Sequence, residues 1–246
     1  MGTPTETFVS HLIELRNRLL RAVVGLLIAF LALFPFANKI YALLAAPMID
    51  KLPEGTHMIA TAVVTPFFVP LKVAMMAAFI ISLPHTLYQL WMFIAPGLYA
   101  HEKKLMLPAI VMSSCLFLCG MAFAYFLVFP VVFTFILSSA PEGVAVMTDI
   151  AEYLDFVMTL FLAFGFAFEV PIVVVLMAHF GWVTTKQLKE MRSYVIVGAF
   201  ILAAIFTPPD IISQFMLAVP LWLLYEAGVV VVQIIQGKEK NIHAEL

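Results

Sequence analysis

Long apolar runs separated by short polar connectors dominate this chain. They extend over about 19–36, 67–94, 105–137, 156–180, 192–207 and 211–235. An α-helix needs about 20 apolar residues to cross the hydrocarbon core of a bilayer, and tilt accommodates more. The third run is long enough to tilt steeply or protrude. The apolar part of the fifth, Tyr194–Phe206, is short and implies local thinning or a shallow hairpin with the sixth. Pro84, Pro130, Pro171 and Pro220 interrupt the second, third, fourth and sixth runs. Such breaks bend membrane helices where neighbours satisfy the freed carbonyls. The pattern predicts an all-α integral membrane protein, a single domain over residues 1–246 with six transmembrane helices bent into a bundle that encloses a concave face.

The connectors carry the orientation. Arg16, Arg18, Arg21, Lys103, Lys104, Lys186, Lys189, Arg192, Lys238 and Lys240 fall on one side of such a bundle, whereas the opposite connectors hold only Lys39 and Lys51. Basic residues accumulate on the cytoplasmic side, so both termini are expected in the cytoplasm. On the far side, Lys39–Ala46 reads as an amphipathic piece lying on the membrane surface, and Thr207-Pro-Pro-Asp210 as a tight turn.

Composition agrees with the pattern. The 246 residues are 64% hydrophobic and 11% charged, too few polar groups to cover a water-soluble globule of this size. The net charge of −2 gives no basic surface for nucleic acid. Cys115 and Cys119 lie in a charge-free run and read as small hydrophobes. The six histidines are scattered, no metal or other cofactor is expected, and no phosphate-cradling loop, GxSxG or HExxH sequence occurs. The expectation is therefore a binding or transport role without enzymatic chemistry.

Three carboxylates stand out. Glu14 lies in His11-Leu-Ile-Glu-Leu-Arg-Asn-Arg18, where pairing with Arg18 at i,i+4 is the plain expectation. Glu102 follows a Pro-Gly turn and two aromatics in Phe93-Ile-Ala-Pro-Gly-Leu-Tyr-Ala-His-Glu102, a connector built to be stiff. Together they place two carboxylates on the cytoplasmic face, which suits a ligand with two guanidiniums bound fork-on-fork. Glu169 stands mid-span, where a charge costs about 2.5–3.5 kcal/mol, and so should face the bundle interior or a wet cavity. Gln89, Thr207, Gln214 and Glu226 are smaller polar intrusions, expected to form interhelical hydrogen bonds. An intramembrane acid among broken helices also fits a proton-coupled small-solute transporter using Glu169.

Several stretches, in order, resemble the TatC family, the multi-spanning subunit of twin-arginine protein translocases. They are His11-Leu-Ile-Glu-Leu-Arg16, Ser82-Leu-Pro84, Phe93 to Glu102, Gly120-Met-Ala-Phe-Ala-Tyr125, Ala167-Phe-Glu-Val-Pro171 and Thr207 to Gln214. The resemblance implies a signal-peptide receptor and scaffold in the bacterial cytoplasmic membrane, exporting folded proteins with the proton-motive force. It implies that Glu14, Glu102 and Phe93 bind the twin-arginine signal peptide, and that Glu169 lies in the concave face of a glove-like bundle. It further implies that Thr207 and Gln214 dock the single-span partners TatA and TatB, that Pro47 and Asp210 belong to periplasmic caps, and that the chain works in an oligomeric complex.

Overall fold

In the computed structural model, residues 4–50, 57–94, 106–138, 147–206 and 211–244 are described. The chain is an all-α membrane protein, with helices where the apolar runs predict them. Helix α1 (Pro4–Leu33) passes through a 3₁₀ turn at Phe34–Phe36 into α2 (Ala37–Ile49). Then come α3 (Thr65–Ile94), α4 (Met106–Phe123) and α5 (Phe129–Ser138). Helices α6 (Ile150–Phe168), α7 (Val170–His179) and α8 (Thr185–Glu190) follow, and α9 (Arg192–Phe206) and α10 (Ile211–Ala244) complete the order. Five helical runs among the described residues are long and apolar enough to span a bilayer, and α9 is the short sixth. Leu19, Ile28 and Leu31 of α1 are exposed, as are Leu107 and Phe126 further on; such surface suits lipid and would aggregate in water.

The described residues divide into two compact units. The first lies within 1–46, 58–114 and 148–154. Its centre is the antiparallel pair of α1 and α3: His11 meets Phe93, Arg18 meets Gln89, and Arg21 meets His85. Close approach is set at Gly25, where a Cβ would fall 2.6 Å from the His85 ring. That ring donates from Nε2 to the Arg21 carbonyl at 3.1 Å. At the other end of α3, Ile59 and Asp149 form a short parallel bridge. Ile59 N–H donates to Thr148 O at 3.0 Å and Ile150 N–H to Ile59 O at 2.9 Å. Tyr153 adds a hydrogen bond from its hydroxyl to the Leu44 carbonyl at 2.7 Å. The amphipathic stretch expected at Lys39–Ala46 is helical within α2, with Ala37, Leu44 and Ala45 buried.

The second unit lies within 47–57, 115–147 and 155–246. Aromatic rings form much of its core: Phe129 packs on Phe161 with centroids 5.0 Å apart, and Phe117, Phe133 and Phe164 are buried nearby in sequence. Helix α4 lies so close to α6 that a Cβ at Gly120 would fall 2.4 Å from the Phe164 carbonyl oxygen. The third span is not uniform. A π turn at Ala124–Val128, in which Phe129 N–H reaches Ala124 O, absorbs the approach of Pro130. The fourth span is interrupted at Glu169, one residue before α7, because Pro171 in the following first turn brings no N–H. Beyond it, α7 packs against α10, where Gly228 leaves room for Pro171: a Cβ there would stand 3.0 Å from Pro171 Cα.

Candidate ligand-binding site

The sequence-level candidates separate into those the structure brings together and those it does not. Glu14 and Phe93 come to the same end of the α1–α3 pair. Phe93, the penultimate residue of α3, stacks on His11 with ring centroids 4.4 Å apart and planes 23° apart. His11 and Glu14 are three residues apart in α1 and so share a face. Gln89 is one turn before Phe93 on α3 and is buried, at 6% exposure. The patch is thus two aromatic rings, a carboxylate and a carboxamide, presented where α1 begins and α3 ends.

Arg18 links these parts. Its Nη2 lies 3.4 Å from Glu14 Oε1, the i,i+4 pair that the spacing predicts. Its Nη1 lies 3.5 Å from Gln89 Oε1 on the neighbouring helix. The Glu14 side chain is 31% exposed and that of Arg18 18%. A carboxylate open to this degree keeps lone pairs available for further donors, and in such surroundings a single pair of this kind is weak. His11 and the Gln89–Arg18 contact are the two members that spacing alone does not disclose. The only sequence signal for Gln89 is its polarity inside an apolar span.

Glu102 of the same candidate site lies outside the described residues, as do Thr207 and Asp210. Glu102 is placed by sequence alone, in the connector from Ile94 to Met106 that begins one residue after Phe93. Pro47 is part-buried within α2. Gln214 uses its amide within the hairpin of α9 and α10, donating from Nε2 to the Phe200 carbonyl at 3.2 Å.

Glu169 sits at the break between α6 and α7, its Oε1 enclosed by protein. Its neighbour Val170 lines an apolar cleft of about 710 Å³ bounded also by Thr159, Phe166, Gly198, Leu202 and Tyr225. Gly198 leaves one wall of the cleft bare, with no atom within 4 Å of the place a Cβ would take. The cleft is lined mainly by apolar side chains.

A second ionic contact was not foreseen from the spacing. Arg192, at the start of α9, donates to Glu226 Oε1 of α10. Beside it Tyr225 donates to the Leu188 carbonyl at 2.7 Å, and Thr185 bonds Gln236. Helix α8 is fixed by a capping box in which Thr184 accepts from the Gln187 N–H at 3.3 Å and the Gln187 side chain accepts from the Thr184 N–H at 2.8 Å. Together these contacts fix the turn from α8 into α9 onto α10.

Comparison with known proteins places this architecture. The sequence profile of the family described as Sec-independent protein translocase protein (TatC) matches residues 10–220. The chain is 51% identical over 237 residues to the Sec-independent protein translocase protein TatC of Escherichia coli K12, covering 96% of this chain and 92% of that one. It is 50% identical to the protein of the same name from Haemophilus influenzae, again over 96% of this chain and 92% of the relative. Among solved structures, the crystal structure of the twin arginine translocase receptor TatC superposes with a TM-score of 0.78 at 38% identity, covering 91% of this chain and 98% of that one.

Proposed function

This chain belongs to the Sec-independent protein translocase (TatC) family, and on that premise we propose that it is the receptor for twin-arginine signal peptides. The observation that carries the reading is the patch of Glu14, His11 and Phe93 at one end of the α1–α3 pair, with the carboxylate accessible and an aromatic surface beside it. Glu14 receives one guanidinium and Glu102 the other, while Phe93 packs against the peptide next to the arginines. Hydrogen bonds to charged groups contribute about 1.5–3 kcal/mol each, less where the surface is open and salt screens it. That selects a ligand. It does not move a folded protein.

The driving energy is external. The membrane potential supplies about 2.3 kcal/mol per charge for each 100 mV, and the chain acts as the scaffold through which the proton-motive force is used. Both termini lie in the cytoplasm of a bacterial inner membrane, in line with the crowding of basic residues on one set of connectors. Thr207 and Gln214 form the docking region for the single-span partners TatA and TatB, and Pro47 and Asp210 stand in the periplasmic caps of the oligomeric complex.

Photo-crosslinking of a twin-arginine precursor to membranes carrying the full chain tests the receptor assignment. The Glu14→Ala, Glu102→Ala double variant should lose at least tenfold of the crosslinked product while inserting normally. Undiminished crosslinking would refute the site.

A further inference from the structure

We propose that Arg18 is an internal competitor for Glu14: in the unloaded protein its guanidinium occupies the carboxylate that an incoming arginine must take, and Gln89 holds the displaced guanidinium. The inference rests on the reading of Glu14 as an arginine acceptor. What it adds is a threshold set by the receptor's own chain.

The geometry is that of an exchangeable contact. Arg18 Nη2 stands 3.4 Å from Glu14 Oε1, longer than the roughly 2.7–2.9 Å of a strong charge-assisted hydrogen bond. The guanidinium is divided between two acceptors, since Nη1 turns to Gln89 Oε1 at 3.5 Å. A divided fork cannot engage both carboxylate oxygens in parallel, the arrangement that gives arginine–carboxylate pairs their extra strength. A ligand guanidinium approaching from solvent is free to take that arrangement, because Glu14 is about one-third exposed and Arg18 reaches it from one turn away on the same helix.

Gln89 completes the exchange. It is neutral, buried at 6% exposure, and carried by α3 rather than α1, so it stays in place while Arg18 shifts. When ligand takes Glu14, Arg18 retains a hydrogen-bond acceptor within reach, so its guanidinium N–H groups are not all left without a protein partner.

Competition of this type has a quantitative signature. If the carboxylate is open in only a fraction of molecules, the apparent Kd of every ligand is its intrinsic value divided by that fraction. Removing the competitor tightens all ligands by the same factor and leaves their ratios unchanged. A part-buried pair of this length, at the upper end of the range for surface ion pairs, implies a factor of about two to five. A role in holding Glu14 in position predicts the opposite sign.

The test is equilibrium binding of two fluorescent synthetic signal peptides, one with Arg-Arg and one with Lys-Lys at the paired position, to the full chain in lipid nanodiscs. Arg18→Gln should tighten both peptides by the same two- to fivefold, and Arg18→Lys, which keeps the charge that sets membrane orientation, by a smaller factor. On a Glu14→Gln background, Arg18→Gln should produce no further tightening, since there is no longer a carboxylate to vacate. Weaker or unchanged binding in Arg18→Gln, with Glu14→Gln still impaired, would overturn the competitor and leave the receptor site standing. Full binding by Glu14→Gln would overturn both.

Discussion

The α1–α3 pair and the α9–α10 hairpin are assembled from the same parts and hold in different ways. Each is antiparallel, and each contains an arginine–glutamate contact. In the first, the ion pair runs along one helix from Glu14 to Arg18 at 3.4 Å, and α3 contributes only the neutral Gln89. In the second, the pair joins two helices, Arg192 to Glu226, flanked by Tyr225 to Leu188 and Thr185 to Gln236. A pair within one helix survives separation of the helices and contributes little to their docking. A pair between helices is lost when they part. The same two residue types therefore give an exchangeable carboxylate in one place and a fixed one in the other.

The sharpest way to break this comparison is to remove each glutamate and read stability. Glu226→Ala leaves Arg192 part-buried without its carboxylate. Losing one partner of a fully buried pair costs about 3–5 kcal/mol, and the partial exposure here reduces the expectation to about 1–3 kcal/mol. Glu14→Ala should cost less than about 1 kcal/mol, because its pair lies within one helix, is long at 3.4 Å and joins nothing across the α1–α3 interface. Thermal unfolding of both variants in the same detergent measures the difference. Equal shifts would mean that the two contacts do not differ as the geometry says.

Close-packed glycines sharpen the same contrast at a smaller scale. At Gly228 a new Cβ would meet the Pro171 backbone at 3.0 Å and Val174 Cβ at 3.3 Å, atoms that cannot rotate away. Gly228→Ala should destabilise by about 1–2 kcal/mol despite the better helix propensity of alanine. At Gly25 the obstacle is the end of the His85 ring, at 2.6 Å, which turns on its own side-chain bonds. Gly25→Ala gives up the hydrogen bond from His85 to Arg21 O and gains up to about 1 kcal/mol of helix propensity, so the net change should fall within about 0.5 kcal/mol. Detergent melts of the two variants decide it, and the second unit should be the less tolerant.

Much of this was legible in the sequence, for identifiable reasons. The spans followed from run length, since lipid forces backbone polar groups into helices and makes apolar runs nearly synonymous with them. The break in the fourth span followed from Pro171, because the missing N–H is a local matter. The Glu14–Arg18 pair followed from i,i+4 spacing. That Gln89, Gln214 and Glu226 bond across helices followed from their polarity within apolar spans, but their partners did not, because periodicity specifies a face and not what it meets. Glu226 read as an ordinary polar intrusion and Arg192 as an orientation charge, and nothing in either neighbourhood announces that they meet. The π turn before Pro130 was equally hidden, as proline predicts an interruption but not its form. Of the proposed two-carboxylate site, Glu14 and Phe93 converge in the structure, while Glu102 rests on the sequence.

The smallest effect expected concerns the far end of the α1–α3 unit, where the chain is clasped instead of open. Asp149 Oδ2 accepts from the Thr61 hydroxyl at 2.7 Å and the Thr61 N–H at 2.8 Å, while Oδ1 accepts from the N–H of Ala151 at 2.7 Å and caps α6. These donors, the Thr61 hydroxyl foremost, favour the ionised form and lower its pKa from 3.8 to about 2. A depressed carboxylate stabilises the fold fully above its unfolded value, and that contribution fades as pH falls through the folded one. The clasp should hold at pH 5 and loosen between pH 3.8 and about 2. Hydrogen exchange at the Ile59 and Ile150 amides, corrected for intrinsic rate, reads it directly, since both donate in the bridge that Asp149 anchors. Asp149→Asn keeps the shape but removes the charge, so protection should be lower at pH 5 and lose its step below pH 4. A step that persists in Asp149→Asn would assign the acid sensitivity to another carboxylate and leave this end of the unit no tighter than the Glu14 end.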